Sequence, residues 1–370
     1  MTDEILTVRQ LNRATLSRQM LLARADRSPT DAVAMLAGMQ AQEPRPPFIG
    51  LWSRLNGFQR DDLLAAYQER RVVRATLMRG TLHTFTAADY RDFRATLQSA
   101  LTRMWQGLGA RGAGIDPAAV VLAAAEILAE GALTFNELRP LLAARFPEAD
   151  ERMLGLAVRM EVPLVMMPTR DRWGFAADSR FGLAHAWLDQ PLSPVDRETL
   201  VLRYLAAFGP ASVADAQTWS GLPGLKATFA ALRPRLVVFR DERGREVFDL
   251  PDTPRPDPDT PAPVRFLPDF DNLLLSHSDR RRVMADEHAP IVKTPKNLRI
   301  RATVLVDGFV AATWRSDRKG KRAVLTVTPF APVANGVAQE IRDEAEALVR
   351  FIEDDATTHE VVIAAPETTG

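Results

Sequence analysis

Cysteine is absent from the 370 residues. That removes disulfides, thiolate metal ligation and thiol nucleophiles together, and makes a reducing, cytoplasmic setting the expectation. Long apolar runs are missing too: the longest, Ala118 to Ala125, is stopped by Glu126, far short of the roughly 20 residues that cross a bilayer. No membrane association is expected. The opening Met1-Thr2-Asp3-Glu4 is acidic, unlike the basic start of a signal peptide. The five histidines (83, 185, 277, 288 and 359) are scattered, with no His/Glu spacing for a helical zinc site, so neither metal nor cofactor is expected. Hydrolase elbows, Walker loops and dinucleotide fingerprints are lacking as well. Gly107-Leu108-Gly109-Ala110-Arg111-Gly112 has no βαβ surroundings and reads as a loop.

Net charge is also lacking, since 47 basic residues balance 47 acidic ones. This excludes a molecule that coats nucleic acid with its whole surface, but a local basic face remains open. Only five of the basic residues are lysines, and four of those fall between Lys293 and Lys321. Between 277 and 322 twelve basic residues face five acidic ones. Arg280, Arg281, Arg282, Lys293, Lys296, Arg318, Lys319, Lys321 and Arg322 are the candidate phosphate contacts there, with solvated surface charge as the competing account.

What is present is one pattern, written three times: helices joined by short turns, then two strand-like runs around a polar tip. In the third copy a helix over 194–208 stops at Gly209-Pro210, Ser212 and Asp215 cap a second, and a third runs to about Leu232; Leu236–Phe239 and Val247–Leu250 then flank a charged turn. The second copy has helices over 118–130, from Thr134, and over 153–160, with a hairpin expected from Leu164–Met167 and Trp173–Ala176. The first has helices near 8–24, 30–40 and 61–70, and a hairpin turning at Arg79-Gly80. Helix-turn-helix followed by a hairpin is the order of a winged helix, so the fold class is α+β: three tandem winged helix-turn-helix units and a β-rich C-terminal domain. The expected boundaries are 1–112, 113–191 and 192–250, a linker over 251–263 with six prolines, and the C-terminal domain over 264–370. In that domain Asp307-Gly308 is a strong two-residue hairpin signal. Nothing resembles a heptad seam, and a monomer is expected. The tryptophans mostly occupy core positions.

The chemistry-bearing segment is Gln40-Ala41-Gln42-Glu43-Pro44. Two glutamines spaced i,i+2 diverge by about 200° on a helix and cannot converge there. Pro44 biases Glu43 out of the helical region, so the helix is expected to end near Gln40, with unwound backbone aiming both amides into one cavity. A solvated polar helix end is the bland alternative. Together with Leu77-Met78-Arg79-Gly80-Thr81-Leu82-His83, with 267–275 (Leu-Pro-Asp-Phe-Asp-Asn-Leu-Leu-Leu) and with Val304 to Arg315, this segment resembles the AlkZ/YcaQ family of bacterial winged-helix DNA glycosylases. The likeness spans nearly the whole chain.

The resemblance implies three winged helices arranged around double-stranded DNA and removal of bulky N-alkylated purines, including interstrand crosslinks. The family signature is Gln, an apolar residue, then Gln in the AlkZ branch or Asp in the YcaQ branch. Gln42 is similar to the AlkZ branch, whose members are linked to self-resistance against DNA-alkylating natural products; Ala41 is a small occupant of the apolar position. Catalysis is thus expected from Gln40 and Gln42, with Glu43 as a rival for water activation and His83 as either a catalytic neighbour or a polar strand residue. With no lysine near the motif in sequence, a monofunctional enzyme that leaves an abasic site is expected. The rival class is a non-catalytic winged-helix DNA-binding protein, a transcriptional regulator or a lesion shield. The third helices of the second and third copies offer one basic residue apiece over 153–160 and 224–232, which reads as packing, not base readout.

Overall fold

A computed structural model describes residues 4–107, 114–294 and 299–367. Most of the Gly107–Gly112 segment, and Lys296, lie outside the described residues. Helices and sheets are both present, with no helix among the described residues long and apolar enough to cross a membrane.

Local signals act where the sequence places them. Thr134 and Glu137 close a capping box on the helix Phe135–Arg145, and Ser212 with Asp215 does the same for Val213–Ser220, satisfying N–H groups that the first helical turn leaves unpaired. Asp307 and Gly308 take φ of 46° and 81°, the paired left-handed residues of a tight hairpin turn. Two helices end earlier than expected. Val8–Arg18 stops before Met20 turns left-handed at φ 54°. Pro29–Met35 stops before Ala37 and Gly38, at φ 49° and 88°. Gly38 is required there, because a Cβ would lie 2.3 Å from Phe85 Cζ. The chain therefore crosses the Phe85 ring and enters Met39–Gln40 as a strand; the helix does not reach Gln40.

That strand is one edge of a five-stranded antiparallel sheet. Its order is Met39–Gln40, Leu82–Thr86, Val72–Thr76, Leu164–Met166, Phe181–Leu183. The hairpins of the first two copies thus merge into one sheet through Ala75 opposite Val165. The second hairpin corrects an expectation: the partner of Leu164–Met166 is Phe181–Leu183, not Trp173–Ala176. The 169–174 segment instead closes its own turn, Gly174 at φ 78° and Thr169 N–H donating to Gly174 O. The strand-like aromatics there serve packing, with Phe175 edge-on to Tyr67 and Trp173 edge-on to Phe48.

The opening strand Ile5–Leu6 pairs in parallel with Val237–Asp241 of the third hairpin. The helix behind it is pinned there by a buried ion pair, Arg18 to Asp249 at 2.7 Å. Segments at the start of the first copy are therefore built into the third. The proline-rich stretch is no free spacer either, since Arg9 and Arg13 of the first helix donate to Pro258 O and Thr260 O.

The C-terminal sheet, ordered Thr358–Ile363, Arg322–Pro329, Phe309–Lys319, Thr303–Val306, Arg265–Leu267, packs Phe266, Val304, Leu325 and Val327 against Ile341, Ala345, Leu348 and Ile352 of the helix Asn335–Ile352. Alternation along the strand and 3–4 spacing along the helix bring these apolar faces together. The 267–275 motif locks this domain to the first copy. Arg54 and Asp271 form a two-pronged ion pair at 2.9 Å, both buried, and Asn272 Nδ2 donates to Gly38 O at 3.1 Å. The motif thus braces the turn that delivers Gln40.

Candidate active site

The strand Met39–Gln40 ends at Gln40 and Gln42 lies in a bend just beyond it, yet both side chains reach back to the same stretch, residues 79–82. Gln40 lies opposite His83 in the sheet, and Ala41 N–H continues the pairing to Leu82 O at 2.7 Å. Gln40 is buried and Gln42 is exposed, so the pair runs from the interior to the surface.

Both carboxamides have their orientation set by chemistry. Arg79 has only N–H donors, and its Nη2 lies 2.8 Å from Gln40 Oε1; the carbonyl must face it, with the NH2 group pointing elsewhere. Leu82 N–H donates to Gln42 Oε1 at 3.3 Å, which turns that NH2 outward too. Each carbonyl oxygen keeps a second lone pair. Behind the motif, buried Arg74 donates to Ala41 O at 2.8 Å and to Gln42 O at 3.0 Å, holding the backbone of the segment in place.

Arg79 reaches Gln40 from a left-handed position, φ 56°, in the turn of the first hairpin. Its other prong donates to Trp219 O at 2.6 Å, so this one side chain links Gln40 to the third copy. Burial and the nearby charge of Arg280 push the Arg79 guanidinium down to about 10, and burial does the same to Arg74. His83 is fully buried. Burial, and then Arg79, push its imidazole down to about 3, so the ring is neutral. Thr81 O, 3.0 Å away, can only accept, placing the proton on Nδ1; Nε2 faces Arg79 at 3.4 Å.

The remaining candidates separate. Glu43 is exposed, 3.7 Å from Arg299, and lines a cleft of about 370 Å³ with Arg45, Asp269 and Arg315. Arg280 is half-buried, with its Nε unpartnered, and lies near enough to depress Arg79. Arg281 is held by Asp279 at 2.6 Å. Arg282 corrects the expectation of a phosphate contact: it is 5% exposed, donates to Pro210 O at 2.8 Å and lies 3.8 Å from Asp215, so its charge is spent inside the fold. The basic hairpin tip is partly neutralised as well. Arg318 binds Asp355 at 2.8 Å and Glu353 at 3.3 Å, and Arg322 binds Glu360 at 3.0 Å. Lys293 and Lys319 are exposed, while Lys321 donates to Asp355 O at 3.2 Å.

Sequence reasoning missed Arg74 and Arg79 as supports of the glutamines. The only available signal was a bulky residue in the Arg79-Gly80 turn. No group of three metal-ligating side chains occurs among the described residues.

The family described as DNA glycosylase AlkZ-like matches residues 33–351. A Streptomyces sahachiroi protein named interstrand DNA cross-link repair glycosylase is 28% identical over 368 residues, covering 92% of this chain and 95% of that relative. The structure of Streptomyces sahachiroi DNA glycosylase AlkZ superposes with a TM-score of 0.78 at 23% identity, covering 97% of this chain and all of that one. That superposition speaks to the fold.

Proposed function

This chain belongs to the AlkZ-like DNA glycosylase family and is an enzyme that hydrolyses N-glycosidic bonds in DNA; we propose that its substrates are bulky or cationic N-alkylated purines, N7-alkylguanine first among them. The Streptomyces relative is named for interstrand crosslinks, and we extend that substrate class, and a role in self-resistance to a DNA-alkylating natural product, to this protein. It acts as a cytoplasmic monomer. Three winged-helix units, divided near 112, 191 and 250, present the DNA to the first of them. The order of helices and hairpins supports this division.

One observation carries the mechanism: two carboxamides from one short segment are each anchored by an N–H donor of residues 79–82, which fixes the flip of each. Alkylation at N7 of guanine or N3 of adenine leaves the base cationic, so its departure needs no general acid. The enzyme's task is then to hold water and to stabilise positive charge developing on the sugar. Exposed Gln42 holds the water by donating from its NH2 and accepting at the remaining lone pair of Oε1. Gln40 offers the sugar cation the remaining lone pair of its Oε1, the other being taken by Arg79. An amide stabilises that cation more weakly than a carboxylate does, so uncharged lesions such as uracil are poor substrates. Neutral His83 supports the pair and transfers no proton. Arg280, Lys293 and Lys319 are the members of the basic set that remain candidates for phosphate contact.

The test is incubation of duplexes carrying N7-methylguanine or a bulky N7-guanine adduct, followed by alkali, with wild type and a Gln40→Ala/Gln42→Ala variant. Alkali-dependent cleavage by wild type, lost in the variant, is expected, and the strand stays intact without alkali. Cleavage that survives in the variant refutes the assignment of these two residues. Scission without heat or alkali refutes the monofunctional reading.

A further inference from the structure

Three arginines of the second copy converge on a groove away from the glutamines. Arg152, Gly155, Leu156 and Arg159 occupy positions i, i+3, i+4 and i+7 of the helix Glu151–Glu161, hence one face, and Arg139 of the helix Phe135–Arg145 reaches across to them around an opening of about 330 Å³. The close approach depends on Gly155: a Cβ there would lie 3.0 Å from Arg139 Cγ and Cδ.

The charges in this groove are organised but not neutralised. Arg159 stacks over the rings of Phe135 and Phe181, at 4.8 and 5.8 Å, which fixes the guanidinium plane without using its N–H donors. Among the described residues neither Arg152 nor Arg159 has a hydrogen-bond acceptor or a carboxylate within ion-pair distance. Arg139 spends one nitrogen on Phe135 O and another on Asn136 Oδ1, leaving its remaining donors unused. The basic hairpin tip differs, since Glu353, Asp355 and Glu360 occupy its arginines. This helix was expected to serve packing only, with one basic residue over 153–160. Arg152, just outside that window, and Arg139, from another helix, change that reading.

The groove adjoins the sheet that carries Gln40, since Arg159 lies over Phe181 of that sheet. Phe181 lies on the strand at one edge and Gln40 on the strand at the other, four strand spacings or about 19 Å apart. At 3.4 Å per base pair this is roughly six pairs along a duplex. Arg159 also lies near enough to Arg74, which clasps the Ala41 and Gln42 carbonyls, for its charge to depress that guanidinium.

We propose that Arg139, Arg152 and Arg159 form a phosphate-binding groove that grips the DNA backbone flanking the lesion. The inference rests on the glycosylase reading for its choice of duplex DNA as the phosphate source. Guanidinium groups with unused donors suit the oxygens of a phosphodiester, and two of the three, Arg139 and Arg159, are held in place by their neighbours.

The experiment is anisotropy titration of a labelled, undamaged duplex over a series of KCl concentrations, using the full chain as wild type, Arg152→Ala, Arg159→Gln and, as control, Arg342→Ala on the C-terminal helix. Because the duplex is undamaged, the result is independent of excision. Each phosphate contact removed lowers the slope of log affinity against log salt by about one unit, so Arg152→Ala and Arg159→Gln are each expected to lose about one unit and Arg342→Ala none. Arg152 is exposed and makes no packing contact with the Phe135 and Phe181 rings, so its variant reads the groove even if Arg159→Gln loosens it. Wild-type slopes in both variants, or an equal loss in the control, overturn the proposal. So does calorimetric binding of inorganic phosphate that Arg152→Ala abolishes while the duplex slope stays unchanged, which makes the groove a free-phosphate site. Failure of the glycosylase reading is recognised separately, by wild-type protein that shows these slopes yet excises no alkylated purine.

Discussion

Replacing Arg79 by Met separates support of the site from support of the fold. The change removes donors from Gln40 Oε1 at 2.8 Å and Trp219 O at 2.6 Å; hydrogen bonds to a charged group contribute about 1.5–3 kcal/mol each. Against that loss, the guanidinium is buried beside another cation, with no carboxylate partner among the described residues, and burial lowers it to about 10. Removing it relieves a desolvation cost of similar size, so net stability is expected to change by no more than about 1–2 kcal/mol. Catalysis has no such offset. Once Arg79 is gone nothing fixes which end of the Gln40 amide faces inward, and misplacement of a catalytic group by about 1 Å costs on the order of 100-fold in rate. Single-turnover excision of N7-methylguanine should fall by about that factor in Arg79→Met and recover in part in Arg79→Lys, which keeps one donor. Because Arg79 acts through Gln40, the Gln40→Ala/Arg79→Met double variant should be no slower than Gln40→Ala alone. A wild-type rate in Arg79→Met, or additive losses in the double variant, would refute the reasoning.

Two further outcomes concern stability. His83 is near pKa 3 in the fold, against about 6.5 when unfolded. The unfolded chain therefore binds the extra proton first, and stability is complete above pH 6.5 and declines as pH falls toward 3. Between pH 7.5 and 5 this amounts to about 2 kcal/mol, read as a lower urea midpoint at pH 5, and His83→Gln should remove that part of the decline. An unchanged pH dependence in His83→Gln would show that the ring is not the titrating group. Asp271→Ala strands Arg54, which is 2% exposed at its side chain, and should cost about 3–5 kcal/mol in denaturant unfolding; a cost under 1 kcal/mol would mean that water reaches the pair.

Several elements were legible because their cause lies within a few residues of chain. Thr134 with Glu137 and Ser212 with Asp215 announce their helices, and Asp307-Gly308 announces its hairpin, because a cap or a tight turn is chemistry between near neighbours. The false strand at Trp173–Ala176 shows the limit of this kind of signal. Its aromatics are buried by Tyr67 and Phe48, which are distant in sequence, and Phe181–Leu183 takes the pairing instead. The helix expected to continue to Gln40 failed for a related reason. Gly38 is left-handed because the chain must clear Phe85, a contact across the sheet.

By itself, then, the sequence determined the class of the fold and the family likeness, and it singled out the glutamine pair as the candidate site. Tertiary structure alone decided that Gln40 lies on a strand, that Arg79 and Leu82 orient the two amides, and which arginines keep their charge available. Arg282, Arg318 and Arg322 read as basic in the sequence but meet Asp215, Asp355 and Glu360 in space, whereas Arg139, Arg152 and Arg159 come from two helices and meet no carboxylate among the described residues. The physical reason is range. Backbone conformation answers to adjacent side chains, while the electrostatic state of a cation depends on whichever groups the fold brings within a few ångströms, wherever they stand in the chain.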